Sequence, residues 1–235
     1  MKIIAGNWKM NGSCAGLKEM AVALKNVMTD NKIILCVPYT MLNCVQADNF
    51  ALGAQDVSAH DKGAFTGEVS ATMLAETGAK YVIVGHSERR QYHEETNSIV
   101  RQKATAAIKA GLIPVICVGE TMDEKQAGKT MAVIESGVRE SVPSDANTDI
   151  IIAYEPRWAI GAGLTPTEAE IAEAHKLIAD TLSSMGLSGT PVLYGASVKS
   201  TNAAEIMSIP NVDGVLVGGA SLKPDDFIPI ITSVK

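Results

Sequence analysis

Eight short apolar runs punctuate the chain, at residues 3–5, 33–37, 52–57, 81–84, 114–118, 150–154, 191–194 and 215–217. Most are continuously apolar. A strand with one wet face alternates apolar and polar residues, whereas a strand dry on both faces reads like these, as in a parallel sheet covered by helices. Between the runs the period becomes helical. It is clearest over 168–185, where Ile171, Ala174, Ile178 and Leu182 share one face and Glu170, Glu173 and Asp180 take others. Thr165 suits the cap of that helix, with Pro166 in its first turn, Glu168 three beyond the cap and Gly186 as its stop. Further helices are expected over 14–28, 41–47, 69–77, 97–110, 124–140 and 202–208, with a short one after Pro224. Asp123 with Gln126, and Asn202 with Glu205, read as two more capping boxes.

Eight strands alternating with helices make a βα repeat. In 235 residues without a linker, charge block or break in composition, that predicts one domain over 1–235: an α/β closed (β/α)8 barrel. An open dinucleotide-binding sheet needs a glycine cluster after its first strand, and here Gly6-Asn7-Trp8-Lys9 follows instead.

Composition narrows the function. The chain is 46% apolar, enough for a sizeable core, and its net charge of −6 gives no broad attraction for nucleic acid or anionic membrane. No apolar stretch approaches the roughly 20 residues that cross a bilayer. Of four cysteines, Cys36 and Cys117 fall inside strand runs and are expected as buried thiols, which suggests a reducing compartment and a cytoplasmic protein.

In a barrel the chemistry sits just past the strand ends. After the first run come Asn7 and Lys9, placed to hold a phosphate or a developing oxyanion, or simply solvated. After the fourth comes His86, opening Gly85-His86-Ser87-Glu88-Arg89-Arg90. At a helix start its protonation is disfavoured, leaving a neutral donor or a histidine satisfied by backbone. Arg89 and Arg90 are expected to pair with acids such as Glu94 and Glu95. After the sixth run, Glu155 stands at the end of an apolar strand, where burial would raise its pKa toward that of a base, unless a salt bridge holds it. The following Pro156 to Gly163 segment looks like a lid with an apolar middle and permissive glycines. Gly195-Ala196-Ser197 and Gly218-Gly219 offer small residues for phosphate binding. No metal-binding motif is present; His60-Asp61 and His93-Glu94-Glu95 read as surface.

Together, Asn7-Trp8-Lys9, Gly85 to Arg90, Ala153-Tyr154-Glu155-Pro156, Gly195-Ala196-Ser197-Val198 and Val217-Gly218-Gly219-Ala220 resemble the signatures of the triosephosphate isomerase family, in order, from Lys2 nearly to the C-terminus. The resemblance implies an aldose–ketose isomerase of glycolysis and gluconeogenesis acting on a triose phosphate, without cofactor or metal. It makes Glu155 the base, His86 the carbonyl polariser, and Lys9 and Asn7 the groups that place substrate oxygens. Glu88 supports them, and Gly161, Ser197, Gly218 and Gly219 bind phosphate. The loop 63–68, with Phe65 and Thr66, resembles the family's interface loop. It implies a homodimer with Cys14 as a semi-buried, reactive interface thiol. Four positions depart from the family pattern. Arg157 replaces a valine and must reach solvent or find a carboxylate. Ala162, Leu164 and Ala196 alter the loop tip and the phosphate site.

Overall fold

The computed structural model describes residues 1–146, 149–160 and 164–234. Its strands are β1 (Ile3–Asn7), β2 (Lys32–Cys36), β3 (Ala51–Ala54), β4 (Tyr81–Val84), β5 (Ile113–Val118), β6 (Ile151–Tyr154), β7 (Val192–Tyr194) and β8 (Gly214–Val217). They pair in parallel, in chain order, and β8 returns to β1 with Gly214 opposite Ile3, closing a barrel. Around it lie α1 (Cys14–Leu24), α2 (Ala71–Glu76), α3 (Ser87–Tyr92), α4 (Asn97–Lys109), α5 (Met122–Gln126), α6 (Thr130–Ser141), α7 (Glu168–Ser184), α8 (Ala203–Ser208) and α9 (Pro224–Ile231).

The unbroken apolar runs have a direct cause. Side chains alternate across each strand, and here both sides are dry. Ala5, Ile34, Ile83, Val115, Ala153 and Leu193 fill the barrel interior. Their neighbours Ile4, Leu35, Val82, Ile116, Ile152 and Val192 pack outward against the helices. Each buried aliphatic side chain contributes about 1.5–3 kcal/mol.

Several local expectations shift. Residues 41–47 form no α-helix; a single 3-10 turn covers Tyr39–Met41. Cys44, within that stretch, is bonded to Cys14 across 30 residues of sequence. Cys14 is therefore an exposed disulfide partner and not the semi-buried thiol expected. Cys36 and Cys117 are buried free thiols as expected. Burial shields such thiols from oxidants, so their reduced state does not report the compartment.

The expected helix over 124–140 breaks in two around Gly128, whose φ is +68°. Thr121 caps α5 in a capping box with Glu124, in place of Asp123 and Gln126. Thr167, not Thr165, caps α7, because its partner Glu170 also binds Lys125 at 2.5 Å. Asn202 precedes α8 without a side-chain cap; it spends its amide on the Ser197 carbonyl and the Lys199 N–H. Gly186 follows the end of α7 with φ +80°, as a stop should. Glu95, expected at the surface, is buried, accepting from Arg89 at 2.5 Å and Lys103 at 2.6 Å. Glu94 is exposed and takes no part in that network.

His175 of α7 is fully buried beside Tyr154, its Nδ1 donating to the Asn211 carbonyl at 3.0 Å. Burial pushes its pKa down from 6.5 to about 4. The unfolded chain takes up this proton below pH 6.5, but the folded chain does not until about 4. Stability from this residue is thus complete above pH 6.5 and falls as pH drops, by about 1.4 kcal/mol per unit. Between pH 7 and pH 5 the parent is expected to lose roughly 2 kcal/mol more than His175→Gln. Urea unfolding at both pH values checks this, and equal losses would sink it.

Candidate active site

The carboxyl ends of the strands surround a cavity of about 360 Å3 lined by Asn7, Lys9, His86, Glu155, Ser197 and Gly218, with Gly219 beside them. These residues come from segments up to 212 positions apart, and the barrel rim is what gathers them.

Asn7 ends β1 and is buried, its Oδ1 accepting the Lys9 N–H at 3.0 Å. That bond goes with a left-handed backbone at Lys9, φ +53°. A left-handed non-glycine residue costs about 1 kcal/mol or more. Lys9 reaches Glu88 of α3, Nζ to Oε1 at 2.5 Å. His86 caps α3, its Nδ1 accepting the Glu88 N–H at 3.2 Å. That bond fixes the tautomer, so Nε2 carries the proton and points at Glu155 Oε1, 3.0 Å away. The second Glu155 oxygen accepts the Ser87 N–H at 2.9 Å.

This arrangement reverses two expected electrostatic directions. Burial pushes the Glu155 carboxyl up, but His86, the Ser87 amide and Lys9 outweigh it and hold it below the usual range. Burial likewise lowers the proton affinity of His86, yet Glu155 and then Glu88 raise it above the ordinary value. The two groups are a mutually stabilised pair. Neither dry surroundings nor the helix start alone sets their chemistry.

The backbone of Glu155 is held as tightly as its side chain. Its N–H donates to the Val118 carbonyl at 2.8 Å. A Cβ on Gly119 would stand 1.8 Å from the Glu155 carbonyl oxygen. Glu120 next to it is buried and accepts from Trp158 Nε1 at 2.7 Å and the Tyr154 hydroxyl at 3.3 Å, while Lys125 sits over the Trp158 ring at 3.8 Å. Glu120 and Trp158 thus hold the stem of the segment after β6 in place. Neither stood out in sequence, although the signal was there. Glu120 follows an apolar strand as Glu155 does, and a carboxylate in that position needs a partner.

On the far wall, Ser197 is half-buried and Gly218 leads into a 3-10 turn, Gly219–Ser221. Amides at the start of a helical turn lack partners within it and face outward as donors. Ala196 joins this wall. Trp8 anchors the turn, donating Nε1 to the Ser221 carbonyl at 2.9 Å. Lys199, not anticipated, lies at the cavity mouth. Gly161 and Ala162 lie outside the described residues; Leu164 is exposed.

Arg157 is half-buried, so part of it still meets solvent, and among the described residues its guanidinium makes no ion pair, which leaves the carboxylate alternative untaken. Arg89 pairs with Asp56 at 3.0 Å and with Glu95, whereas Arg90 binds only neutral acceptors. Among the described residues no three His, Cys, Asp or Glu side chains converge as a ligand set, and no helix is long and apolar enough to cross a membrane.

Phe65 is 40% exposed and stacks on His60 at 3.8 Å, with exposed Thr66 beside it. A second cavity of about 370 Å3 adjoins the first, between Met10, Tyr39, Gln55, Glu88 and Tyr92. Met10 and Tyr92 on its rim are 95% and 70% exposed.

Residues 2–234 match the family model described as triosephosphate isomerase. Similar curated proteins include the triosephosphate isomerases of Herminiimonas arsenicoxydans, 45% identical over 98% of both chains, and Rhodopseudomonas palustris, 47% identical over 97% of this chain and 95% of that one. The crystal structure of triosephosphate isomerase from Bartonella henselae superimposes with a TM-score of 0.90 at 41% identity, covering 99% of this chain and 98% of that one.

The contact between Gly119 and Glu155 predicts that even a methyl group is not tolerated. Gly119→Ala is expected to destabilise by about 3 kcal/mol or more, since backbone must move. Denaturant unfolding measures it; a loss under about 0.5 kcal/mol, the range of neutral substitutions, would show that the β5–β6 rim yields easily.

Proposed function

The chain belongs to the triosephosphate isomerase family, and from that premise we propose a division of labour around its cavity. The protein interconverts D-glyceraldehyde 3-phosphate and dihydroxyacetone phosphate, a step of glycolysis and gluconeogenesis. Glu155 is the base that carries the proton between C1 and C2. His86, through Nε2, polarises the carbonyl and moves the hydroxyl proton between the two oxygens. Lys9 supplies positive charge to the enediolate, Asn7 orients the substrate oxygens, and Glu88 positions Lys9 and His86. Ser197, Gly218 and Gly219, with Gly161 of the closing loop, take the phosphate. No proton or electron is gained or lost over the cycle, so no cofactor is needed.

The observation that carries this reading is the convergence of Glu155, His86, Lys9 and Asn7 on one cavity whose opposite wall is small and donor-rich. The resting pair also supplies a trigger. A substrate carbonyl entering between Nε2 and Oε1 breaks the 3.0 Å contact. Glu155 then loses the partner that lowered its pKa while its burial remains, and it becomes a stronger base as the substrate arrives. Closure of the segment after Pro156 excludes water from the enediolate.

We further propose that two copies form a homodimer acting in the cytoplasm, with no nucleic-acid or membrane partner. The exposed loop 63–68 of one copy seats Phe65 and Thr66 in the other's cavity beside Met10 and Tyr92, and the exposed Cys14, bonded to Cys44, belongs to the same interface by family resemblance. Thus the loop of one chain abuts the Lys9–Glu88 pair of the other.

Conversion of D-glyceraldehyde 3-phosphate, coupled to NADH oxidation with EDTA present, tests the chemistry. Fast turnover is expected in the parent, with a loss of roughly 100-fold or more in Glu155→Asp, which retracts the base by about one bond. An undiminished Glu155→Asp would remove Glu155 from the reaction. Sedimentation tests the assembly: two chains per particle in the parent, shifting toward one in Thr66→Arg. A monomeric parent refutes it.

A further inference from the structure

A smaller cavity of about 190 Å3 lies behind the catalytic rim, lined by Arg90, Asn97, Gly119, Glu124, Ser136 and Arg157. It shares with the catalytic cavity the wall where Gly119 meets the backbone of Glu155. Its charge is unusual. Arg90 donates Nε to the Gly85 carbonyl at 2.8 Å, Nη1 to Asn97 Oδ1 at 2.7 Å, and Nη2 to the Cys117 carbonyl at 2.9 Å and Ser141 Oγ at 3.3 Å. All four acceptors are neutral. Burial first, and the neighbouring Arg157 charge after it, hold its pKa below the usual guanidinium range.

Arg157 adds a second guanidinium to the same cavity, again without an ion pair among the described residues. The one carboxylate in the lining, Glu124, commits Oε2 to the N–H and hydroxyl of Thr121 at 2.8 and 3.0 Å. Two cations and one carboxylate leave the cavity net positive. Like charges brought together in poorly solvated surroundings repel, and a shared anion reverses the sign of that interaction. Arg90 has one N–H left, on Nη1, whereas the Arg157 guanidinium has no committed donor among the described residues, and its fork suits two oxygens of a tetrahedral oxyanion.

We infer that this cavity is a second anion site, taking a phosphate-class tetrahedral oxyanion between Arg157 and Arg90. Arg157 begins the stem of the catalytic loop, its N–H donating to the Glu120 carbonyl at 2.9 Å, and Trp158 beside it binds the Glu120 side chain. An anion there ties the stem to α3 and restrains the loop, so it slows turnover without competing for the triose phosphate. That consequence rests on the isomerase reading; the site itself does not.

Selenate, an anomalous scatterer of phosphate shape, separates the two readings in crystals of the whole chain. The expected result is one peak against Ser197 and Gly218 and a second between Arg157 and Arg90. In Arg157→Gln the second peak should vanish while the first remains as the control for folding. Dialysis against inorganic phosphate should give two bound ions per chain in the parent, one of them weakened about tenfold or more in Arg157→Gln and less in Arg157→Lys. A peak only in the catalytic cavity overturns the second site and spares the active-site reading. A peak only between the arginines does the reverse. A second ion bound equally by Arg157→Gln places it elsewhere and overturns the assignment.

Discussion

A ring of eight parallel strands, each hydrogen-bonded to two neighbours, leaves no wet face beyond its amino-terminal rim, where Lys32 is exposed. The interior is filled by side chains such as Ile83 and Leu193, and the outside is pressed against helices. Polar groups are therefore expelled to the strand ends, because burying one mid-strand without a partner costs several kcal/mol. Asn7, His86, Glu120 and Glu155 all stand at or within two residues of a strand's carboxyl end. The active site is in this sense a consequence of ring closure. The same constraint that forbids polar side chains within the strands concentrates them on the rim.

Once there, the partners decide what each group does. Glu120 and Glu155 are both buried carboxylates, set at the ends of adjacent strands. Burial keeps the pKa of Glu120 high, because its donors Trp158 and Tyr154 are neutral. Burial pushes that of Glu155 up too, but it is held low because His86 Nε2 and the Ser87 amide donate to it and the Lys9 charge lies near. One carboxylate is fixed to a loop stem and the other is held by contacts that an incoming ligand can break. The difference is made by the residues that face them across the rim.

Much of this was legible in the sequence because it is carried by local pattern. Strands dry on both faces write unbroken apolar runs, and the residues just after them are the rim. What escaped is what depends on a choice between near-equal local options, or on distance. Thr165 with Glu168 and Thr167 with Glu170 are overlapping boxes of the same form. Only the reach of Lys125, 45 residues away, favours the second. Residues 41–47 have the apolar content of a short helix, yet Met41 and Leu42 bury in a single turn and Cys44 is committed to Cys14. The pKa directions of His86 and Glu155 follow from a 3.0 Å contact between residues 69 apart. Burial for Glu155 and the helix start for His86, which sequence does suggest, each gave the wrong sign.

The pairing of β8 with β1 bears on how the chain reaches this state. A finished ring has no edge strand, so the folded barrel offers no row of unpaired N–H and C=O groups to another molecule. Before closure it has two such edges, and the partners that cover them, Ile3 and Gly214, come from opposite ends of the barrel sequence. During synthesis β1 must wait through seven further strands for its second neighbour. The hazardous interval for aggregation is thus the time a ribosome takes to deliver β8, after which the exposed template disappears.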